Sequence, residues 1–89
     1  MKSQITDDFL DCFHRLPETV REQARKAYRL WRSNPQHPSL HFKRIHSAEP
    51  LYSVRVSLGW RVVGLLENDT ITWSWIGSHA EYDRLIANL

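Results

Sequence analysis

From Tyr52 to Ile76 three consecutive segments alternate apolar and polar residues at period two, and the turns between them dictate how those segments can pair. Tyr52 to Val56 and Trp60 to Glu67 are separated by Ser57-Leu58-Gly59, which predicts a three-residue bulged hairpin with Gly59 at its left-handed position. Asn68-Asp69 predicts a two-residue turn that sets Glu67 opposite Thr70. Counting back from the turns puts Arg55 opposite Arg61, Leu66 opposite Ile71 and Val62 opposite Trp75. One face then collects Tyr52, Val54, Val56, Trp60, Val62, Leu66, Ile71, Trp73 and Trp75, and the other displays Ser53, Arg55, Arg61, Ser74 and Ile76. The tryptophans, Trp31 included, are read as mainly core.

A sheet with one apolar face needs a cover, and the N-terminal half supplies it. Lys2 to Ile5 reads as a short edge strand, followed by Thr6 as a helix N-cap with Asp7 and Asp8 in the first turn. Phe9, Phe13 and Leu16 recur at i, i+4, i+7 in a short helix that stops before Pro17. Pro17 suits position N1 of a second helix, whose apolar stripe is Val20, Ala24, Ala27, Tyr28 and Trp31 and which Asn34-Pro35 closes. Its opposite side carries Arg21, Arg25, Arg29 and Arg32. Leu40 to His46 reads as a strand or extended edge with Lys43 and Arg44 exposed, and Glu49-Pro50 as a turn. The predicted class is α+β: two N-terminal helices on one face of a small, mainly antiparallel twisted sheet, with a short C-terminal helix, in one domain over residues 1–89.

With 42% apolar residues the chain can bury an adequate core, and its only cysteine, Cys12, has no partner for an intrachain disulfide. No run has the length or apolar character of a membrane span or signal peptide, so the expected setting is the cytoplasm, away from membranes. Charge is unevenly placed: from Arg15 to Arg61 ten basic residues stand against three acidic ones, a local field that suits nucleic acid or an acidic protein. His37, His41 and His46 lack the further cysteines or helix-borne pair that a zinc site needs, so no metal is expected.

Candidate chemistry gathers at the end of the last strand. Gly77 ends that strand, and Ser78 and Glu81 have the S-x-x-E spacing of a capping box, which starts a helix with His79 in its first turn and Tyr82 one turn on, on the same face. The positive end of the helix dipole favours the neutral imidazole, a state suited to a general base. Arg55 and Arg61, side by side on the open face, repel unless an anion lies between them, and His79 emerges next to Arg61. This is the pattern of a phosphate site.

The order helix, helix, L-Y-S-V-R-V-S-L-G-W-R-V-V-G at Leu51 to Gly64, and W-I-G-S-H-A-E-Y at Trp75 to Tyr82 resembles the RelE/ParE family of bacterial toxins from toxin–antitoxin pairs. For RelE-like members the resemblance implies ribosome-dependent, metal-independent cleavage of messenger RNA without a cofactor, and a cognate antitoxin wrapped around the toxin. It implies that Arg61 contacts the scissile phosphate, that Arg55 adds positive charge, that His79 moves a proton, and that Tyr82 positions or stacks on a base. Ser53 departs from the pattern, since RelE carries lysine there. Lys43, Arg44, Arg25 and Arg29 are candidate RNA contacts, the helix stripe being either that or a solvated face. Two alternatives stay open: a ParE-like inhibitor of DNA gyrase that acts by binding, and a toxin-like module that has lost catalysis.

Overall fold

The computed structural model describes residues 1–89, which run in the order β1 (Lys2–Ile5), α1 (Asp7–His14), α2 (Glu18–Ser33), a 3-10 turn (Pro38–Leu40), β2 (Lys43–Arg44), β3 (Leu51–Ser57), β4 (Trp60–Glu67), β5 (Thr70–Ser78) and α3 (His79–Ala87). The strands form one sheet in the order β1-β5-β4-β3-β2, antiparallel throughout except that β1 lies parallel to β5. The α+β class, the edge strand at the N-terminus and the three helices agree with the sequence pattern. No helix is long and apolar enough to cross a membrane.

Local chemistry starts each helix. Thr6 Oγ1 accepts a 3.0 Å hydrogen bond from the Phe9 amide at the head of α1, with Asp7 and Asp8 in its first turn. Pro17 is the N-cap of α2 and not its first residue, one position earlier than the sequence suggests. On α2, Val20, Ala24, Ala27 and Trp31 form the buried stripe, while Tyr28 lies at its margin, 38% exposed, with its hydroxyl 2.6 Å from Ser3 Oγ on β1. Trp31, 1% exposed, meets Trp73 edge to face at 5.2 Å and Phe42 at 5.9 Å, and joins Leu40, Val54, Val62 and Ile71 in the core.

Where the sheet departs from simple counting, the cause is a bulge. The Asn68-Asp69 turn has both residues left-handed, at φ 50° and 61°, and pairs Glu67 with Thr70 and Leu66 with Ile71 as expected. Between Val63 and Gly64 the register shifts: Gly64 pairs with Trp73, Val63 pairs with Trp75, and Ser74 becomes an extra residue whose hydroxyl donates to the Val63 carbonyl at 3.4 Å. Beyond the bulge Val62 faces Ile76, not Trp75. Ile76 therefore enters the core at 2% exposure, whereas Trp75 turns to the reverse face and is only half-buried. Trp60 is likewise half-buried and outside the core cluster. Two glycines make room for the rings: a Cβ at Gly64 would lie 2.6 Å from Trp73 Cε3, and one at Gly77 would overlap Trp75 Cζ2.

At the β3–β4 turn the irregularity also falls elsewhere than expected. Ser57 pairs with Trp60 across Leu58-Gly59, the register shifts between Arg55 and Ser57, and no glycine has positive φ. One surplus residue on the β3 side still leaves Arg55 opposite Arg61, so the facing arginines survive a different turn. The strand expected over Leu40 to His46 shrinks to Lys43–Arg44, because Leu40 ends the 3-10 turn and His41 takes the left-handed conformation at φ 45°, ψ 44°.

Candidate active site

On the face of the sheet away from α1 and α2, cross-strand pairing builds two rows. Lys43, Ser53, Val63 and Trp75 form one, and Arg55, Arg61 and Gly77 the next. Helix α3 folds back over this face. Its start is fixed by the capping box, with the Glu81 amide donating to Ser78 Oγ at 3.1 Å and the Ser78 amide to Glu81 Oε1 at 3.0 Å. The box holds the Glu81 carboxyl below the usual carboxylate range, mainly through the Ser78 backbone amide and then the Ser78 hydroxyl. The His79 amide donates to the Gly59 carbonyl at 2.8 Å, which ties the helix start to the β3–β4 turn.

Between α3 and the two rows lies a cleft of about 220 Å³. His79, Tyr82, Asp83 and Ile86 line it from α3, Arg55, Arg61 and Ser53 from the sheet, and Lys43 and His41 from the far rim. His79, Arg61, Arg55 and Tyr82, named from sequence, are thus brought together, and Lys43 borders the same space. His79 Nε2 lies 3.2 Å from Asp83 Oδ1, one helical turn on. An Nε2–H donated to that carboxylate leaves Nδ1 as the proton-accepting nitrogen.

Arg61 is fastened to the turn, its Nη1 donating to the carbonyls of Ser57 at 2.7 Å, Trp60 at 2.9 Å and Leu58 at 3.3 Å. Burial first and the neighbouring Arg55 second lower its pKa from the ordinary guanidinium value, partly offset by Tyr82 and Asp83. It stays charged. Two arginines paired across β3 and β4, with the Asp83 carboxylate at the same cleft, leave an excess of positive charge that can pair with an anion.

Tyr82 is placed differently from a base-stacking residue. Its side chain is buried at 6% exposure and its hydroxyl donates to Ser53 Oγ at 3.1 Å, where Ser53 is itself 2% exposed. Ser53 therefore pins α3 to the sheet, and little of the tyrosine ring is open to a base. Arg44 turns back to the carbonyls of His46 at 2.9 Å and Ser47 at 3.5 Å, and pairs with Tyr52 on the opposite side of the strand from Lys43. Arg25 and Arg29 lie on α2, across the sheet from the cleft. Arg25 is paired with Glu22 at 3.1 Å and Glu18 at 3.4 Å, Arg29 with Glu22 at 3.9 Å, and Arg25 also covers the Phe13 ring. They do not extend the cleft's positive surface.

His41 and Asp83 were not singled out as site residues by sequence. The signal for Asp83 was its i+4 spacing from His79. His41 had none beyond being a histidine, since its place depends on how the loop after α2 returns to the sheet. No three His, Cys, Asp or Glu side chains converge as metal ligands.

No curated protein matches the chain in sequence. Solved structures share its fold. A chain of the RelB–RelE antitoxin–toxin complex from Methanococcus jannaschii superposes with TM-score 0.71 at 18% identity, covering 91% of this chain and 96% of that one. YafQ from E. coli strain BL21(DE3) gives 0.70 at 12% identity, covering 91% and 96%. The YoeB/ParE toxin from Agrobacterium tumefaciens gives 0.69 at 15% identity, covering 89% and 99%. A family model described as a ParE-like toxin domain matches residues 18–84, from the start of α2 to the middle of α3. Fold and family model agree: the chain belongs to the ParE-like toxin domain family.

Proposed function

We propose that this toxin is an endoribonuclease that cuts messenger RNA on the ribosome and is held inactive by a cognate antitoxin. The observation that carries the proposal is the cleft itself, where an imidazole oriented by a carboxylate borders two facing arginines on an open sheet face. The reaction is an internal transesterification. The ribose 2′-oxygen attacks the adjacent phosphorus, its proton passes to a base, the bond from phosphorus to the 5′-oxygen breaks, and that oxygen takes up a proton. The products are a 2′,3′-cyclic phosphate and a 5′-hydroxyl. Within this scheme His79 moves a proton, while Arg61 and Arg55 stabilise the charge that builds on the phosphate. Tyr82 acts from behind, holding α3 and His79 in place through Ser53. The solved RelB–RelE complexes supply the model for an antitoxin partner.

The test is primer extension on a translated messenger after brief induction. His79→Gln should leave ribosome association intact and slow cleavage by about two to four orders of magnitude, the usual contribution of a positioned acid or base. A second reading, inhibition of DNA gyrase by binding alone, is favoured by the ParE-like description of the family match. Growth arrest without any cut messenger, unchanged in His79→Gln, would select it.

A further inference from the structure

Of the five histidines in the chain, three are engaged locally. His37 Nδ1 lies 2.8 Å from the Ser39 hydroxyl and 3.2 Å from the Ser39 amide, and His46 Nδ1 accepts from the amides of Glu49 and Ala48 at 2.8 and 3.1 Å, so both rings hold loops together. His14 stands edge-on to Phe13 at 6.0 Å. The remaining two, His41 and His79, border the same cleft from opposite sides. His41 is the freer of them: its ring makes no hydrogen bond within the chain, whereas His79 is held by Asp83. Its backbone is also the unusual one. His41 caps the 3-10 turn in the left-handed conformation, which a side chain beyond Cβ adopts only at some expense and which glycine or asparagine adopts more readily. A strained backbone position that delivers an unengaged imidazole to a cleft with another imidazole is a feature of a working site.

We propose that His41 is the second proton-transfer group of this cleft. His79, with Nε2 turned to Asp83, accepts the 2′-hydroxyl proton at Nδ1, and His41 in its protonated form delivers a proton to the departing 5′-oxygen. One proton leaves the substrate and one enters it, so the step balances without a further reactant. The proposal rests on the nuclease reading above and adds the group that reading lacks, since a single imidazole cannot serve both oxygens in one step. Around His41 the cleft presents the charged or titratable side chains of Lys43, Arg55, Arg61, His79, Tyr82 and Asp83.

Single-turnover cleavage of a translated messenger, measured across neutral pH, tests the division of labour. The wild-type rate should rise and then fall with pH, because the base must be deprotonated and the acid protonated. His41→Gly relieves the left-handed strain and should melt at or above the wild-type temperature, yet cleave about two to four orders of magnitude more slowly and without the fall at high pH. His41→Asn, which keeps a side chain suited to that backbone, should do the same. His79→Gln should instead lose the rise at low pH. Cleavage by both His41 variants at close to the wild-type rate, or slow cleavage that keeps both limbs, overturns the proposal and leaves the nuclease reading standing. A wild type that cuts no messenger overturns both.

Discussion

Neighbouring residues Trp75 and Ile76 give the bulge in β5 a sharp energetic signature. With uninterrupted pairing Trp75 would be a core residue and Ile76 a surface one; the bulge at Ser74 reverses them. Ile76 is 2% exposed among Val62, Trp73 and Trp31, so Ile76→Ala removes a buried side chain and opens a cavity, at about 2–5 kcal/mol. For a domain of this size 1 kcal/mol corresponds to about 4–8 °C in melting temperature, so a loss near 3 kcal/mol lowers Tm by about 12–24 °C. Trp75 is only half-buried on the other face, so Trp75→Ala should cost about half of what a fully buried tryptophan does, about 1.5–2.5 kcal/mol. Urea unfolding followed by far-ultraviolet circular dichroism measures both, since fluorescence is compromised when a tryptophan is removed. The slopes should match the wild type, leaving the midpoints to report stability. If Trp75→Ala proves the costlier by 1 kcal/mol or more, the strand runs without a bulge and the rows that build the cleft are misassigned.

Tyr82→Phe leaves the buried Ser53 hydroxyl without its partner and should cost about 1–2 kcal/mol, while adding Ser53→Ala should cost less than the sum of the two single changes in a urea double-mutant cycle. Glu81 titrates below the usual carboxylate range when folded, so its contribution is complete above the unfolded value and fades as pH falls through the folded one; Glu81→Gln should flatten that acid-side loss of α3 helicity, followed by circular dichroism. Asp83→Asn, at an exposed position, should change stability by no more than about 0.5 kcal/mol while slowing messenger cleavage by less than His79→Gln does, in the same primer-extension assay.

Local signals were legible and non-local ones were not. Ser78-x-x-Glu81 announces the start of α3 because both partners lie within one turn, and Asn68-Asp69 fixes its hairpin because two residues decide its geometry. Facing arginines followed from counting, and the count survived a misplaced irregularity because either version adds one residue to the same strand. The β5 bulge escaped because Trp73, Trp75 and Ile76 are all apolar, so alternation alone cannot say which two share a face. Gly64 and Gly77 were the available clue, each vacating the space a tryptophan ring occupies. Of the site, His79, Arg55 and Arg61 could be placed from strand ends and turns. His41 could not, since its route to the cleft runs through a loop whose course is set by the core under Leu40 and Phe42.

The parallel pairing of β1 with β5 also imposes an order of assembly. Lys2 leaves the ribosome long before its partner, Thr70, and β5 lies between β1 and β4 in the sheet. Until β5 is synthesised, α1 and α2 have no Trp73 or Ile76 to bury, and β1 has no neighbour. Long-range pairing of this kind makes folding slow and leaves apolar helix faces open in the nascent chain. The cleft draws on β2, β3, β4 and α3 together, and α3 is the last of these elements in the chain. The cleft is therefore complete only after the residues through Ile86 have emerged.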